Sequence, residues 1–92
     1  PGAVITYTAL YSNLGDGEAK NVTVVDAVPP ETLYLPGSLR LGAAGDAYAA
    51  AAPLTDAADA DEGAYSSGEV TFTLPSVPAG AGGTLFFKVT IQ

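Results

Sequence analysis

The stretch AVITYTALYS (residues 3–12) decides the fold of this chain. An extended backbone would place Ile5, Tyr7, Ala9 and Tyr11 on one face and the residues between them on the other. A period near two, carried by β-branched and aromatic side chains, is typical of a β-strand. Neither face of this strand holds a charged residue. The stretch therefore predicts a structural role rather than a catalytic one.

Further strand-like runs follow, and turn-forming segments separate them. The run KNVTVVD (residues 20–26) ends before Pro29 and Pro30, because proline cannot donate a hydrogen bond to a strand ladder. The runs EVTFTL (residues 69–74) and TLFFKVTIQ (residues 84–92) alternate cleanly and close the chain. Several short strands without an amphipathic helix predict one all-β domain over residues 1–92, built as a β-sandwich.

Composition excludes several classes of function. The net charge is −7, and the only basic residues are Lys20, Arg40 and Lys88. Such an acidic surface repels nucleic acids and anionic membranes. The chain has no cysteine and no histidine, so it lacks thiolate ligands and the commonest general base. No apolar run approaches the ~18 residues of a membrane span. We therefore predict a protein that is not an enzyme and needs no cofactor.

Residues 43–68 differ from the rest in being rich in alanine and carboxylates. We expect a long surface loop here, with a short helical turn near residues 47–52 because alanine favours helix. Five acidic side chains are candidate ligands for calcium, which prefers oxygen donors on a flexible loop: Asp46, Asp56, Asp59, Asp61 and Glu62. The spacing does not match the helix-loop-helix calcium motif. The alternative is a solvated acidic loop that keeps the protein soluble.

Asp26 is a separate acidic candidate, because it stands at the end of a strand-like run before two prolines. A carboxylate in that position often accepts backbone N–H bonds in an Asx-type turn. We expect this structural role for Asp26 rather than a catalytic one.

The order of several short motifs resembles a bacterial and archaeal cell-surface family, the conserved repeat domain also called domain of unknown function eleven. The first group of motifs is PG (1–2), ITYT (5–8), SN (12–13), AKNV (19–22) and VDAVP (25–29). The later group is TDAADAD (55–61), EVTF (69–72), PAG (78–80) and LFFKVTI (85–91). The likeness spans nearly the whole chain. It implies an immunoglobulin-like β-sandwich of about seven strands, usually repeated in tandem on exported proteins.

Members of that family carry a strand just before the Pro-Gly turn, and here the sequence has none. Either the chain was cut there, or a neighbouring chain or domain supplies the first strand. A sheet that lacks an edge strand exposes backbone groups to which a partner strand can pair.

Two functions fit these observations. The first is a non-enzymatic structural module of an extracellular cell-surface protein, fibre or surface layer, which spaces and assembles neighbouring domains or subunits. The second is a calcium-dependent adhesin that binds a host or cell-surface ligand through residues 43–68.

Overall fold

The structure is a computed structural model, and it describes residues 2–57 and 61–92. The described part contains eight strands and one short 3-10 turn. In chain order the strands are β1 Val4–Ser12, β2 Ala19–Ala27, β3 Thr32–Tyr34, β4 Arg40–Ala43, β5 Ala52–Pro53, β6 Gly63–Ser66, β7 Glu69–Val77 and β8 Gly82–Ile91. The 3-10 turn is Tyr48–Ala50.

The strands form two antiparallel sheets that pack face to face, so the predicted all-β sandwich is confirmed. The first sheet has the strand order β1-β8-β4-β5. Strand β3 also belongs to this sheet and pairs with β8 outside that order. The second sheet has the order β2-β7-β6. The strand count of about seven was close, and the additional short pieces β3 and β5 are too brief to show a period in the sequence.

The core lies between the central strands of the two sheets. On β7 the inward side chains are Val70, Phe72 and Leu74, and on β8 they are Leu85, Phe87 and Val89, all of them buried. By contrast, the inward side chains of β1 and β2 are only half-buried. Burial falls off there because each of these strands has a neighbour on one side only.

Residues 43–68 do not form a single long loop, contrary to the prediction. They contain the last residue of β4, the 3-10 turn, β5 and β6. The physical reason is packing: Tyr48 sets its ring edge-on to Phe86 at a centroid distance of 5.6 Å. The alanine-rich segment, residues 47–53, thus covers the outer face of the first sheet, where Phe86 and Thr84 are buried although their side chains point away from the core. The expected helical turn is present as the 3-10 turn.

The second sheet is interrupted near one end. The inward-facing residues of β2 are Val24, Val22 and then Ala19, so the alternation slips by one residue between the last two. The alternation of inward-facing residues on β7 slips in the same way at Pro75. Asn21 lies at this point with a left-handed φ of 54°. In both strands, therefore, the face that points towards the core changes at the same place. The outer edge of β2 does not have a regular extended backbone.

Candidate functional site

The carboxylates of Asp46 and Asp56 both accept hydrogen bonds, the first within its own turn and the second from a distant part of the chain. Asp46 accepts a hydrogen bond from the Ala43 N–H through Oδ2 at 2.8 Å. The Oδ1 of Asp56 accepts from the Tyr34 hydroxyl at 2.6 Å, and its Oδ2 accepts from the Gly37 N–H at 2.9 Å. Burial raises the pKa of Tyr34 well above its usual range, and the hydrogen bond to Asp56 raises it further. Asp46 thus stabilises its own turn, whereas Asp56 joins its segment to β3 and to the turn that follows β3.

Asp61 plays a similar part, and Glu62 contributes through its backbone. The Oδ2 of Asp61 accepts from the N–H and the hydroxyl of Thr55, and its Oδ1 accepts from the Gly63 N–H. The backbone carbonyl of Glu62 accepts from the Thr73 N–H, which extends the pairing of β6 with β7. Each of these contacts positions the entry into β6.

Asp59, the fifth predicted calcium ligand, lies outside the described residues. Within residues 2–57 and 61–92, no group of three or more acidic, histidine or cysteine side chains is arranged to hold a metal ion. The calcium site over Asp46, Asp56, Asp59, Asp61 and Glu62 stays a prediction. The described carboxylates Asp46, Asp56 and Asp61 already accept backbone or side-chain hydrogen bonds.

A cluster of two cations and one tyrosine on the outer face of the first sheet was not foreseen. The guanidinium of Arg40 lies 4.1 Å from the Tyr48 ring centroid, and the Lys88 ammonium lies 4.0 Å from it. Arg40 also donates to the Tyr48 carbonyl at 2.9 Å, and the Tyr48 hydroxyl donates to the Ser38 carbonyl at 3.0 Å. These contacts hold the alanine-rich segment on the sheet. The only signal in the sequence is that both cations occupy outward positions of strand-like runs.

The side of the sandwich formed by β1 and β2 is open. In the described residues β1 pairs only with β8, and β2 pairs only with β7, so each strand has one free edge. A groove of about 170 Å³ lies between their ends. Its lining is mainly apolar and consists of Tyr11, Ser12, Asn13, Leu14, Ala19, Val22 and Val77.

Tyr11 lines this groove and accounts for a glycine in the first residues of β8. It pairs with Gly83, and a Cβ at that position would lie 2.5 Å from the Tyr11 hydroxyl oxygen. A Cβ there would also lie 2.8 Å from the Gly42 carbonyl oxygen, a backbone atom that cannot move aside easily, so glycine fits best at this point.

The free edge of β1 is defined by its even-numbered residues. The Asn13 N–H bonds to the Ala81 carbonyl, and the Ile91 N–H bonds to the Ala3 carbonyl, both in the register of the β1–β8 pair. Residues that face each other in an antiparallel ladder alternate between bonded and non-bonded pairs. The odd-numbered residues of β1 therefore bond to β8. The even-numbered ones, from Val4 to Ser12, point their N–H and C=O groups to the free edge.

The free edge of β2 follows the opposite parity. The Val28 N–H bonds to the Gly68 carbonyl in the β2–β7 register, so even-numbered residues bond inward and odd-numbered ones, such as Thr23, face outward. This edge is guarded in ways that natural sheets use against unwanted pairing. It carries Lys20, the left-handed Asn21, and Asp26 on the same face as Val22 and Val24.

Asp26 does not form the expected Asx-type turn. Its carboxylate makes no hydrogen bond to any described residue, and it lies half-buried in β2 opposite Val70. The reason is that β2 continues to Ala27, so Asp26 is still inside the strand ladder rather than at a turn.

Comparison with known proteins adds no relative. No family model matches the chain, and neither a curated protein nor a solved structure does. The resemblance to the cell-surface repeat domain accordingly stays a prediction. In the described part of the chain, no helix has the length and apolarity needed to cross a membrane.

Proposed function

We propose that this chain is a non-enzymatic structural module of an exported cell-surface protein, fibre or surface layer, and that it joins neighbouring domains or subunits by strand addition along β1. The observation that supports this proposal is the free edge of β1. It is nine residues long and contains no charge, no proline and no left-handed residue.

The other borders of the described sheets are poorer acceptors. Strands β3, β5 and β6 are at most four residues long, and β2 is interrupted and charged. Natural proteins usually blunt a long edge with charges, proline or a bulge, because such an edge templates pairing with another chain. An edge that lacks all these devices is suited to a partner strand, as in other cases of β-strand addition.

The inner face of β1 favours the same use. Ile5, Tyr7, Ala9 and Tyr11 point towards the core but remain half-exposed. Tyr7 stacks on Phe87 of the neighbouring strand at 5.2 Å, and on its other side β1 has no paired strand among the described residues. A strand laid along β1 would cover these side chains as well as bond to the backbone, and burial of apolar area stabilises by about 25 cal/mol per Å².

The cell-surface location is supported by the order of the motifs in residues 1–29 and 78–91, which resembles exported repeat domains. The lack of enzymatic activity is supported by the absence of histidine and cysteine from the sequence. The strong negative charge suits a soluble surface that avoids nucleic acid.

The proposal is tested with a synthetic peptide of alternating threonine and valine, as long as β1 and flanked by lysines. Amide hydrogen exchange is measured by NMR on the isotope-labelled chain. We expect slower exchange at the even-numbered residues of β1, because their N–H groups gain partners, with no change at the odd-numbered residues of β2.

Thr8→Pro and Thr23→Pro form a matched pair for this experiment, since both replace an exposed threonine whose N–H faces a free edge. The first variant should lose peptide binding and the second should retain it. Absence of binding at millimolar peptide, or protection confined to residues 43–68, would refute strand addition at β1.

A further inference from the structure

We propose that the strand added to β1 is β1 of a second copy of this chain, paired antiparallel across a two-fold axis at Thr8. The two first sheets would then form one continuous sheet. This inference rests on the proposed function and names its partner.

The hydrogen-bonding parity of β1 selects the register. Only even-numbered residues offer backbone groups at the free edge, so an antiparallel partner strand must place even-numbered residues opposite even-numbered ones. A two-fold axis at Thr8 uses the whole strand: Val4 faces Ser12, Thr6 faces Leu10, and Thr8 faces its own copy. Each such pair exchanges two hydrogen bonds. An axis at any other residue leaves part of β1 unpaired.

The side chains fit the same register. Opposite residues in an antiparallel pair lie on the same face and contact each other. On the inner face the axis at Thr8 places Tyr7 against Ala9, a large side chain against a small one, and Ile5 against Tyr11. On the outer face it places Leu10, which is 76% exposed, beside Thr6. The half-buried inner residues of both copies would lose their remaining contact with water.

Charge also points to β1 as the surface where two copies meet. Each copy carries a net charge of −7, so most approaches bring carboxylates together. The β1 edge holds no charged residue, and pairing along it opposes no like charges. On β2 the left-handed Asn21 interrupts the edge, and Asp26 places a carboxylate on the inner face. The long-range repulsion that remains is screened by salt, so the proposed dimer should strengthen as ionic strength rises.

The association is tested by analytical ultracentrifugation from micromolar to millimolar protein, at about 0.05 and 0.5 M NaCl, which span a large change in screening length. We expect a monomer–dimer equilibrium that shifts towards dimer at the higher salt. Thr8→Pro should raise the dissociation constant roughly tenfold or more, because it removes edge donors at the centre of the pair. Thr23→Pro is the matched control and should leave the constant unchanged.

A second pair of variants tests the same contact without introducing proline. Thr8→Lys places two like charges against each other at the axis, whereas Thr23→Lys adds the same charge to the other edge. Circular dichroism and melting temperature verify that all variants fold. Dissociation by Thr8→Lys alone supports the inference, and equal effects of the two lysines would overturn it.

The register is tested by disulfide formation, which the absence of native cysteine makes clean. In Thr8→Cys the two thiols face each other across the axis at about 5.5 Å between Cα atoms, a separation that a disulfide spans. In Thr6→Cys the two thiols are several residues apart along the paired strands. Rapid cross-linking of Thr8→Cys with slow cross-linking of Thr6→Cys and Thr23→Cys is expected. Equal rates would contradict the register.

The outcomes separate this inference from the proposed function. A chain that stays monomeric at millimolar concentration, yet binds the threonine–valine peptide at β1, refutes the second copy as partner and keeps strand addition. A chain that neither dimerises nor binds the peptide refutes both. A dimer that withstands both Thr8→Pro and Thr8→Lys places the contact elsewhere and overturns the inference.

Discussion

The two sides of this sandwich are closed to very different degrees. On the covered side, the Tyr34 ring from the first sheet stacks on Tyr65 from the second at 4.0 Å, and Asp56 fastens the Tyr34 hydroxyl. On the open side, neither β1 nor β2 has a second neighbouring strand among the described residues, and an apolar groove lies between their ends. The hydrogen bond from Tyr34 to Asp56 thus helps to close one side, while the other side presents free backbone groups and half-buried side chains. This contrast teaches that the described carboxylates Asp46, Asp56 and Asp61 hold the scaffold together, and it supports our proposal that a partner binds at the opposite edge.

The largest expected effect tests whether β1 has one edge that is hydrogen-bonded to β8 and one edge that is free. Ala9→Pro should lower the free energy of unfolding by about 3 kcal/mol or more, because Ala9 pairs with Leu85 and proline removes a ladder hydrogen bond. Thr8→Pro, one residue away, should cost less than about 1 kcal/mol in the monomer, since proline is tolerated on edge strands. Urea unfolding at low protein concentration measures both. Equal losses would show that the assigned parity of β1 is wrong.

An intermediate effect is expected on the covered side, at the Tyr34–Asp56 hydrogen bond. Tyr34→Phe should destabilise the protein by about 1–2 kcal/mol at neutral pH, because Asp56 loses a donor in a partly buried place. Tyr7→Phe is the matched control: it also removes a tyrosine hydroxyl, one that makes no hydrogen bond to the described residues, and should cost less than about 0.5 kcal/mol.

The same pair gives a pH dependence. The pKa of Tyr34 is raised in the folded state, so the folded protein holds its phenolic proton where the unfolded chain, with a pKa of about 10, has lost it. The stabilisation is therefore complete below pH ~10 and is lost as pH rises from there towards the folded pKa. Thermal melts from neutral to alkaline pH should show a steeper decline for the native chain than for Tyr34→Phe. Parallel declines would contradict this account of the covered side.

The smallest effect is expected from calcium. Since the described carboxylates of Asp46, Asp56 and Asp61 already accept hydrogen bonds, millimolar calcium should leave the melting temperature unchanged. Asp61→Asn should lower stability by about 1 kcal/mol with or without calcium, because a weaker acceptor holds the Thr55 and Gly63 N–H groups. A calcium-dependent rise in melting temperature that Asp61→Asn abolishes would instead favour the adhesin alternative.

The long strands could be predicted from sequence because their signal is local. Residues 3–12, 69–74 and 84–92 alternate over many positions, and each coincides with most of a strand. Strand β1 lies within residues 3–12, whereas β7 continues past residue 74 to Val77 and β8 begins earlier, at Gly82. Segment 43–68 was misjudged because its order comes from distant partners. The ring of Tyr48 packs on Phe86, and Gly63 lies where a Cβ would come within 3.1 Å of Leu39. Neither contact leaves a periodic trace in the chain.

The candidate sites divide in the same way. Clustered carboxylates suggested a calcium site because sequence spacing shows which carboxylates are near one another. It does not show which N–H groups already donate hydrogen bonds to them. The edge of β1 could be recognised as an uncharged strand, yet its status as an edge depends on which strands pair. That requires the order β1-β8-β4-β5 and β2-β7-β6, which is a property of the whole chain.

The sequence by itself determined that this protein is built from extended strands, that it is strongly acidic, and that it contains neither histidine nor cysteine. These properties follow from side-chain alternation and composition, which are local and additive. Only the tertiary structure decided which sheet edges stay unpaired and which carboxylates accept hydrogen bonds. Hydrogen-bond partners in a sandwich are far apart in sequence, so the identity of a free edge is fixed by packing between strands rather than by the residues of the edge itself.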